Sequence, residues 1–273
     1  MSASPRPSPV AEARAASRAL AAAAFTTWTL ARFEAAVRLR GLDGRAREDF
    51  ALETMRVFGE GLVRIFGIDL VTEGLGPDDY LPGKDAGGRG RVFFASHRSG
   101  LDILITLKTI AGRHVSRADL ASWPLIGTVA NRAGILFVDR TSKRSSAQVM
   151  RKMIECVETG KGVIIFPEGT TFAGDEVRPL KAGAFSVARR TGAELVPVGI
   201  AYEGDEFAFD DDSFVAHMRR VSGVRRVKVA LVAGEPFVLP ALDGTRAESD
   251  PAGEIARERL QVAVNRARAL LAR

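Results

Sequence analysis

At 273 residues, with 46% hydrophobic and 26% charged residues, the chain can bury one full core, which excludes a disordered or fibrous polymer. The net charge of +6 suits an anionic surface or ligand, while 7% aromatics without basic–aromatic interleaving argues against nucleic acid. A lone Cys156 excludes an internal disulfide, and no cysteine–histidine spacing suggests a structural zinc site.

Residues 1–9 read as a disordered leader, with no targeting signal and no apolar run as long as a membrane span. Residues 10–40 are Ala-rich and free of Gly and Pro, so a helix is expected. Leu30, Phe33 and Val37 share one stripe and Phe25 and Trp28 a neighbouring one, with Arg14, Arg18, Arg32, Arg38 and Arg40 forming a cationic side. After the Gly41-Leu42-Asp43-Gly44 turn, a second helix is expected over 49–66, with Met55, Phe58, Leu62 and Ile65 on one face and Gly67 ending it. Such a pair has two readings. Both helices can pack on a core, which the pattern alone favours, or they can lie in a membrane interface with aromatics inserted and arginines meeting phosphates.

Residues 68–73 alternate as an edge strand, and the Gly- and Pro-rich residues 76–90 form a surface loop. Val92-Phe93-Phe94-Ala95 reads as a buried strand delivering His97 to a helix start, and that helix runs to about Thr109. A short strand over 114–118, with His114 structural, leads through a turn at 121–127 into a helix ending near Arg132. Residues 134–140 form a third buried strand ending in Asp139-Arg140, and 145–159 a helix with Cys156 in the core. The strand at 162–166 runs straight into Pro167-Glu168-Gly169-Thr170-Thr171. A helix at 180–190, a strand at 195–201, an acidic loop at 205–212 and a short helix at 215–220 with His217 on the surface come next. A last strand at 225–232 and an amphipathic helix at 251–273 complete the chain. Strands alternating with helices predict an α/β fold with a largely parallel central sheet flanked by helices. The expected organisation is a leader (1–9), an amphipathic two-helix element (10–67) and an α/β domain (68–273).

Three apolar strands thus end abruptly in polar groups, and in an open α/β sheet the ligand crevice lies outside the carboxyl ends of the strands. His97 and Asp102 are five apart across a strand-to-helix turn, with the small polar Ser99 and Gly100 at the helix start. A carboxylate accepting from one ring nitrogen fixes the imidazole tautomer and stabilises the imidazolium formed when the other nitrogen takes a proton. This is the base-and-orienter half of a triad, and the nucleophile can be a nearby serine or a substrate hydroxyl. Taken alone, the pair more often means a structural histidine and a helix cap. Glu168, between Pro167 and Gly169, can position a substrate hydroxyl or brace its loop. Arg140 can grip a phosphate or carboxylate bidentately, and Arg178 and Lys181 add positive charge beyond.

The blocks His97-Arg98-Ser99-Gly100-Leu101-Asp102, Gly134-Ile135-Leu136-Phe137-Val138-Asp139-Arg140, Phe166-Pro167-Glu168-Gly169-Thr170 and Val196-Pro197-Val198 together resemble the PlsC-like glycerolipid acyltransferases, that is, the 1-acylglycerol-3-phosphate acyltransferase-like enzymes. The HxxxxD motif alone is weak, but followed in order by FPEGT it is specific, and the blocks cover about residues 68–235. The resemblance implies O-acyl transfer from an acyl thioester, acyl-CoA or acyl carrier protein (acyl-ACP), to a lysolipid hydroxyl in phospholipid biosynthesis. His97 would be the general base and Asp102 its orienting partner. Arg140 and Glu168-Gly169-Thr170 would bind the acceptor, with Val196-Pro197 lining the site. The resemblance also turns the two-helix element into a membrane-interface element, and so implies a peripheral or monotopic protein on the cytoplasmic face. No metal or bound cofactor is required; the acyl donor is a co-substrate. Phosphatidate-forming members commonly carry Arg after FPEGT, where this chain has Thr171, which brings lyso-ornithine lipid and larger lysophospholipids into play; Arg178 or Lys181 could substitute. Backbone N–H groups at the helix start after Gly100 would receive the oxyanion. A thioester or lipid hydrolase, an inactive acyl-lipid-binding relative and a soluble enzyme acylating a non-lipid alcohol are the rivals.

Overall fold

The computed structural model describes residues 8–122, 126–139, 141–181, 185–209, 213–239 and 252–273. Its elements are α1 (Pro9–Arg40), α2 (Gly44–Ile65), β1 (Ile68–Glu73), β2 (Val92–Ala95), α3 (Asp102–Thr109), β3 (Gly112–Arg117), α4 (Ile126–Arg132) and β4 (Leu136–Val138). They continue with α5 (Lys143–Glu158), β5 (Gly162–Ile165), α6 (Ser186–Thr191), β6 (Leu195–Tyr202), α7 (Phe214–Gly223), β7 (Val227–Ala233) and α8 (Ala252–Leu271). The expected helix at 180–190 is shortened to α6, and residues 182–184 within it lie outside the described residues, as do 123–125 in the expected turn at 121–127.

The strands form one sheet in the order β1-β7-β6-β2-β5-β3-β4, parallel throughout except between β6 and β7. Its central strands are apolar on both faces because helices cover both. Alternation along β2 shows this directly. Phe93 and Ala95 face a core built with α2 and α3, while Val92 and Phe94 face one built with α5, α6 and α8. All four residues are fully buried. β1 is the edge strand that its alternation predicts.

Residues 1–7 of the expected leader lie outside the described residues, but Ser8 caps α1 and Pro9 begins it. The Ser8 hydroxyl accepts from the Ala11 N–H at 3.2 Å, and Pro9 takes the first helical position, where a missing N–H costs nothing. One face of α1 packs on the body: Phe25 stacks on Phe58 and Phe33 on Phe50. Arg14 and Arg18 do not join an open cationic side. Arg14 donates to the Gly223 carbonyl, and Arg18 to those of Ser222, Val224 and Arg225, so they satisfy the orphan carbonyls where α7 ends. The other face stays open, with Leu20 and Trp28 exposed and no charged residue from 19 to 31. Among the described residues, no helix is long and apolar enough to cross a membrane.

Candidate active site

Strand register brings the distant blocks together. β2 pairs with β5 so that Phe94 lies opposite Ile165; three residues further along each chain, His97 and Glu168 emerge side by side from the sheet. The backbone N–H of His97 donates to Glu168 Oε2 at 2.8 Å. On the other side of β2, Ala95 lies opposite Val198, so four residues further Ser99 is level with Tyr202. The Tyr202 hydroxyl donates to Asp102 Oδ1 at 2.6 Å. Burial, followed by the Asp102 charge, pushes the Tyr202 phenol well above its ordinary pKa, so it remains a donor.

His97 Nδ1 lies 2.9 Å from Asp102 Oδ2, and that oxygen also accepts from the backbone N–H groups of Arg98 at 2.7 Å and Ser99 at 2.8 Å. Asp102 is completely buried, so these donors replace the water its carboxylate has lost. A carboxylate on Nδ1 places the His97 proton there and leaves Nε2 as the basic nitrogen. Nε2 has no hydrogen-bond partner among the described residues, and the side chain, stacked on Phe166 at 4.2 Å, is 19% exposed. The two neighbouring serines are not poised as nucleophiles. Ser96 is buried, its hydroxyl accepting from the Ile200 N–H at 2.9 Å, and Ser99 is buried with its hydroxyl 3.1 Å from His217 Nε2.

Of the two roles expected of Glu168, the geometry shows the bracing one. Its side chain has no exposed surface; the carboxylate accepts from Arg98 Nη1 on both oxygens, from the His97 N–H and from the Arg178 N–H at 3.1 Å. The carboxylate forms a buried ion pair that ties two strand ends together. Gly169 follows at φ +84°, a conformation that excludes most side chains, and turns the chain back. The Phe172 N–H then donates to the His97 carbonyl and the Lys181 N–H to that of Pro167. This turn exposes Thr170, Arg178 and Lys181 beside the His97 block, with the Arg178 guanidinium 5.4 Å over the Phe172 ring. The Thr171 hydroxyl donates to the Phe209 carbonyl.

Arg140 lies outside the described residues. Asp139, just past β4, accepts from the Thr141 N–H and hydroxyl, which hold its carboxyl below the usual range. β4 is three strands from β2, roughly 14 Å across the sheet. Val196 and Pro197 do not line the site: both are buried opposite Phe93 and Phe94 within the sheet. The backbone N–H groups expected to receive an oxyanion have protein acceptors instead. Gly100 donates to His217 Nε2, Leu101 to the Ser99 hydroxyl and Asp102 to the Ser99 carbonyl. Among the described residues, no group of three His, Cys, Asp or Glu side chains is arranged to hold a metal ion.

A family model described as Acyltransferase matches residues 78–201. The 1-acyl-sn-glycerol-3-phosphate acyltransferase of Neisseria meningitidis serogroup B is 28% identical over 170 residues, 62% of this chain and 63% of that protein. The lyso-ornithine lipid O-acyltransferase of Pseudomonas aeruginosa is 31% identical over 158 residues, 56% of this chain and 61% of that protein. The chain thus spans less than two thirds of the length of these curated relatives. The crystal structure of the 1-acyl-sn-glycerophosphate acyltransferase PlsC from Thermotoga maritima shares the fold, with a TM-score of 0.62 at 20% identity over 93% of this chain and 96% of that one. The chain is thus similar to acyltransferases over residues 78–201 and shares the fold of the PlsC structure.

Two residues of this site escape a reading of the sequence. Tyr202 looks like the tail of an ordinary buried strand, and only the β2–β6 register places it on Asp102. His217, expected on the surface, is completely buried, because the inward face of α7 seats it on the Ser99-Gly100 turn. His114 is structural as expected. Burial lowers its pKa from 6.5 to about 4, and Nε2 sits 2.8 Å from the Thr106 hydroxyl.

Proposed function

We propose that this protein is an O-acyltransferase that moves a fatty acyl group from an acyl thioester, acyl-CoA or acyl-ACP, to the free hydroxyl of a lysolipid such as 1-acylglycerol-3-phosphate. The observation that carries the reading is a buried four-donor carboxylate on His97 Nδ1, with Nε2 left as a partly exposed base and the neighbouring Ser96 and Ser99 buried. The acceptor hydroxyl attacks the thioester carbonyl while its proton moves to His97 Nε2, and Asp102 stabilises the imidazolium. The tetrahedral intermediate collapses, the carbon–sulfur bond breaks, and the thiolate takes the proton from His97. The products are the esterified lipid and a free thiol. No bound cofactor enters these steps.

A charged acceptor would meet the exposed turn bearing Thr170, Arg178 and Lys181. Thr171 offers no cation to a phosphate, and its hydroxyl is held by the Phe209 carbonyl, which favours lyso-ornithine lipid as the second reading of the acceptor. The outward face of α1, uncharged over residues 19–31 with Trp28 and Leu20 exposed, and with Arg32 5.6 Å over the Trp28 ring, supports peripheral binding at the cytoplasmic membrane face. The test is pure protein with labelled acyl-CoA or acyl-ACP against a lysolipid panel, products identified by mass spectrometry. An acceptor-dependent ester is expected, absent in His97→Ala at an unchanged circular-dichroism spectrum. Release of free fatty acid regardless of acceptor, or near-normal transfer by His97→Ala, would refute it.

A further inference from the structure

We infer that His217 is a positioning residue for acyl transfer, holding the Ser99-Gly100 turn from outside the family's motif blocks. Its imidazole is completely buried and 117 residues from the turn it contacts. Nε2 accepts from the Gly100 N–H at 3.1 Å and lies 3.1 Å from the Ser99 hydroxyl. An amide N–H can only donate, so Nε2 is the acceptor in this, the shorter contact; Nδ1 lies 3.4 Å from Arg220 Nη2, a second donor.

The neighbouring geometry shows why this contact matters to the base. Ser99 N–H is one of the donors to Asp102 Oδ2, the oxygen that orients His97. The Ser99 carbonyl, in the same peptide as the Gly100 N–H, accepts from the Asp102 N–H, so a rotation of the Ser99–Gly100 peptide moves Asp102 and, through it, the imidazole. The approach is tight at Gly100: a Cβ there would lie 3.2 Å from His217 Cδ2 and 3.0 Å from the Phe214 ring, so these rings would have to shift. Phe209 stacks on the His217 ring at 4.7 Å, and its own N–H donates to the Arg98 carbonyl, so the imidazole is clamped from a second side of the same turn. The helix carrying His217 is anchored in turn by Arg14 and Arg18.

The inference rests on the acyltransferase reading, and the experiment separates the two. Steady-state transfer is measured for wild type, His217→Phe and His217→Gln with the acceptor that wild type uses. The phenylalanine keeps a flat ring without an acceptor, and the glutamine carbonyl can accept from the Gly100 N–H. A displacement of the base by about 1 Å predicts a kcat fall of 10- to 100-fold in His217→Phe with donor and acceptor KM within about twofold. His217→Gln should recover to within about fivefold of wild type, and Gly100→Ala should resemble His217→Phe. Normal kcat in His217→Phe, or equal loss in the two His217 variants, would overturn the inference. An inactive wild type would instead refute the transferase reading. Long-range 1H–15N spectra of the wild-type protein read this contact without any variant: an unprotonated Nε2 is expected, and a protonated Nε2 would overturn the assignment.

Discussion

Replacing Glu168 by glutamine separates bracing from acceptor binding. Arg98 and Glu168 are 3% and 5% exposed, and their ion pair at 2.9 Å joins the ends of two neighbouring strands. A glutamine amide would still accept on one oxygen, but its NH2 group would face Arg98 Nη1 or the His97 N–H, donor against donor. Breaking a buried pair by removing one charge costs about 3–5 kcal/mol because the surviving ion stays out of water. At about 2–4 °C per kcal/mol for a chain of this size, Tm should fall by about 6–20 °C. With the NH2 group turned to His97, the His97 N–H loses its acceptor, and kcat should then fall with little change in acceptor KM. Scanning calorimetry with steady-state kinetics makes the measurement, and Arg98→Met combined with Glu168→Leu should cost less than the two single changes added. A Glu168→Gln protein with unchanged Tm and kcat but an acceptor KM raised tenfold would refute the bracing role and restore direct acceptor contact.

Tyr202→Phe removes one donor from a buried carboxylate, a bond of about 1.5–3 kcal/mol when one partner is charged. About tenfold lower kcat at unchanged KM is expected; full activity would make Tyr202 structural only. His114 gives a pH signature in stability. Its folded pKa of about 4 lies below the unfolded 6.5, so the unfolded chain binds the extra proton and stability is lost as pH falls between those values. Urea unfolding at pH 7 and 4.5 should show about 2–3 kcal/mol from this group, absent in His114→Gln; equal pH dependence in both proteins would refute it. Introducing charge on the open face of α1, Leu20→Glu with Trp28→Glu, should weaken flotation with anionic vesicles more than tenfold at unchanged Tm, since each buried apolar side chain contributes about 1.5–3 kcal/mol. Unchanged flotation would remove α1 from the interface.

Local chemistry was legible in the chain. Val92-Phe93-Phe94-Ala95, a short apolar run with turn residues after it, reads as a buried strand, and His97 with Asp102 follows from a spacing that one turn closes. The parallel sheet follows from alternation of strands and helices. What the residue order could not carry is which strand lies beside which. Glu168 braces the turn because β5 adjoins β2, Tyr202 reaches Asp102 because β6 flanks the other side, and His217 is buried because α7 crosses the Gly100 turn. Arg14 and Arg18 show the same limit: on a helical projection they are a cationic stripe, and only packing makes them caps for α7. Periodicity and spacing act over a few residues, where backbone geometry alone decides the outcome. Contacts between residues about 70 to 200 apart depend on how strands and helices pack, and only the assembled fold settles that.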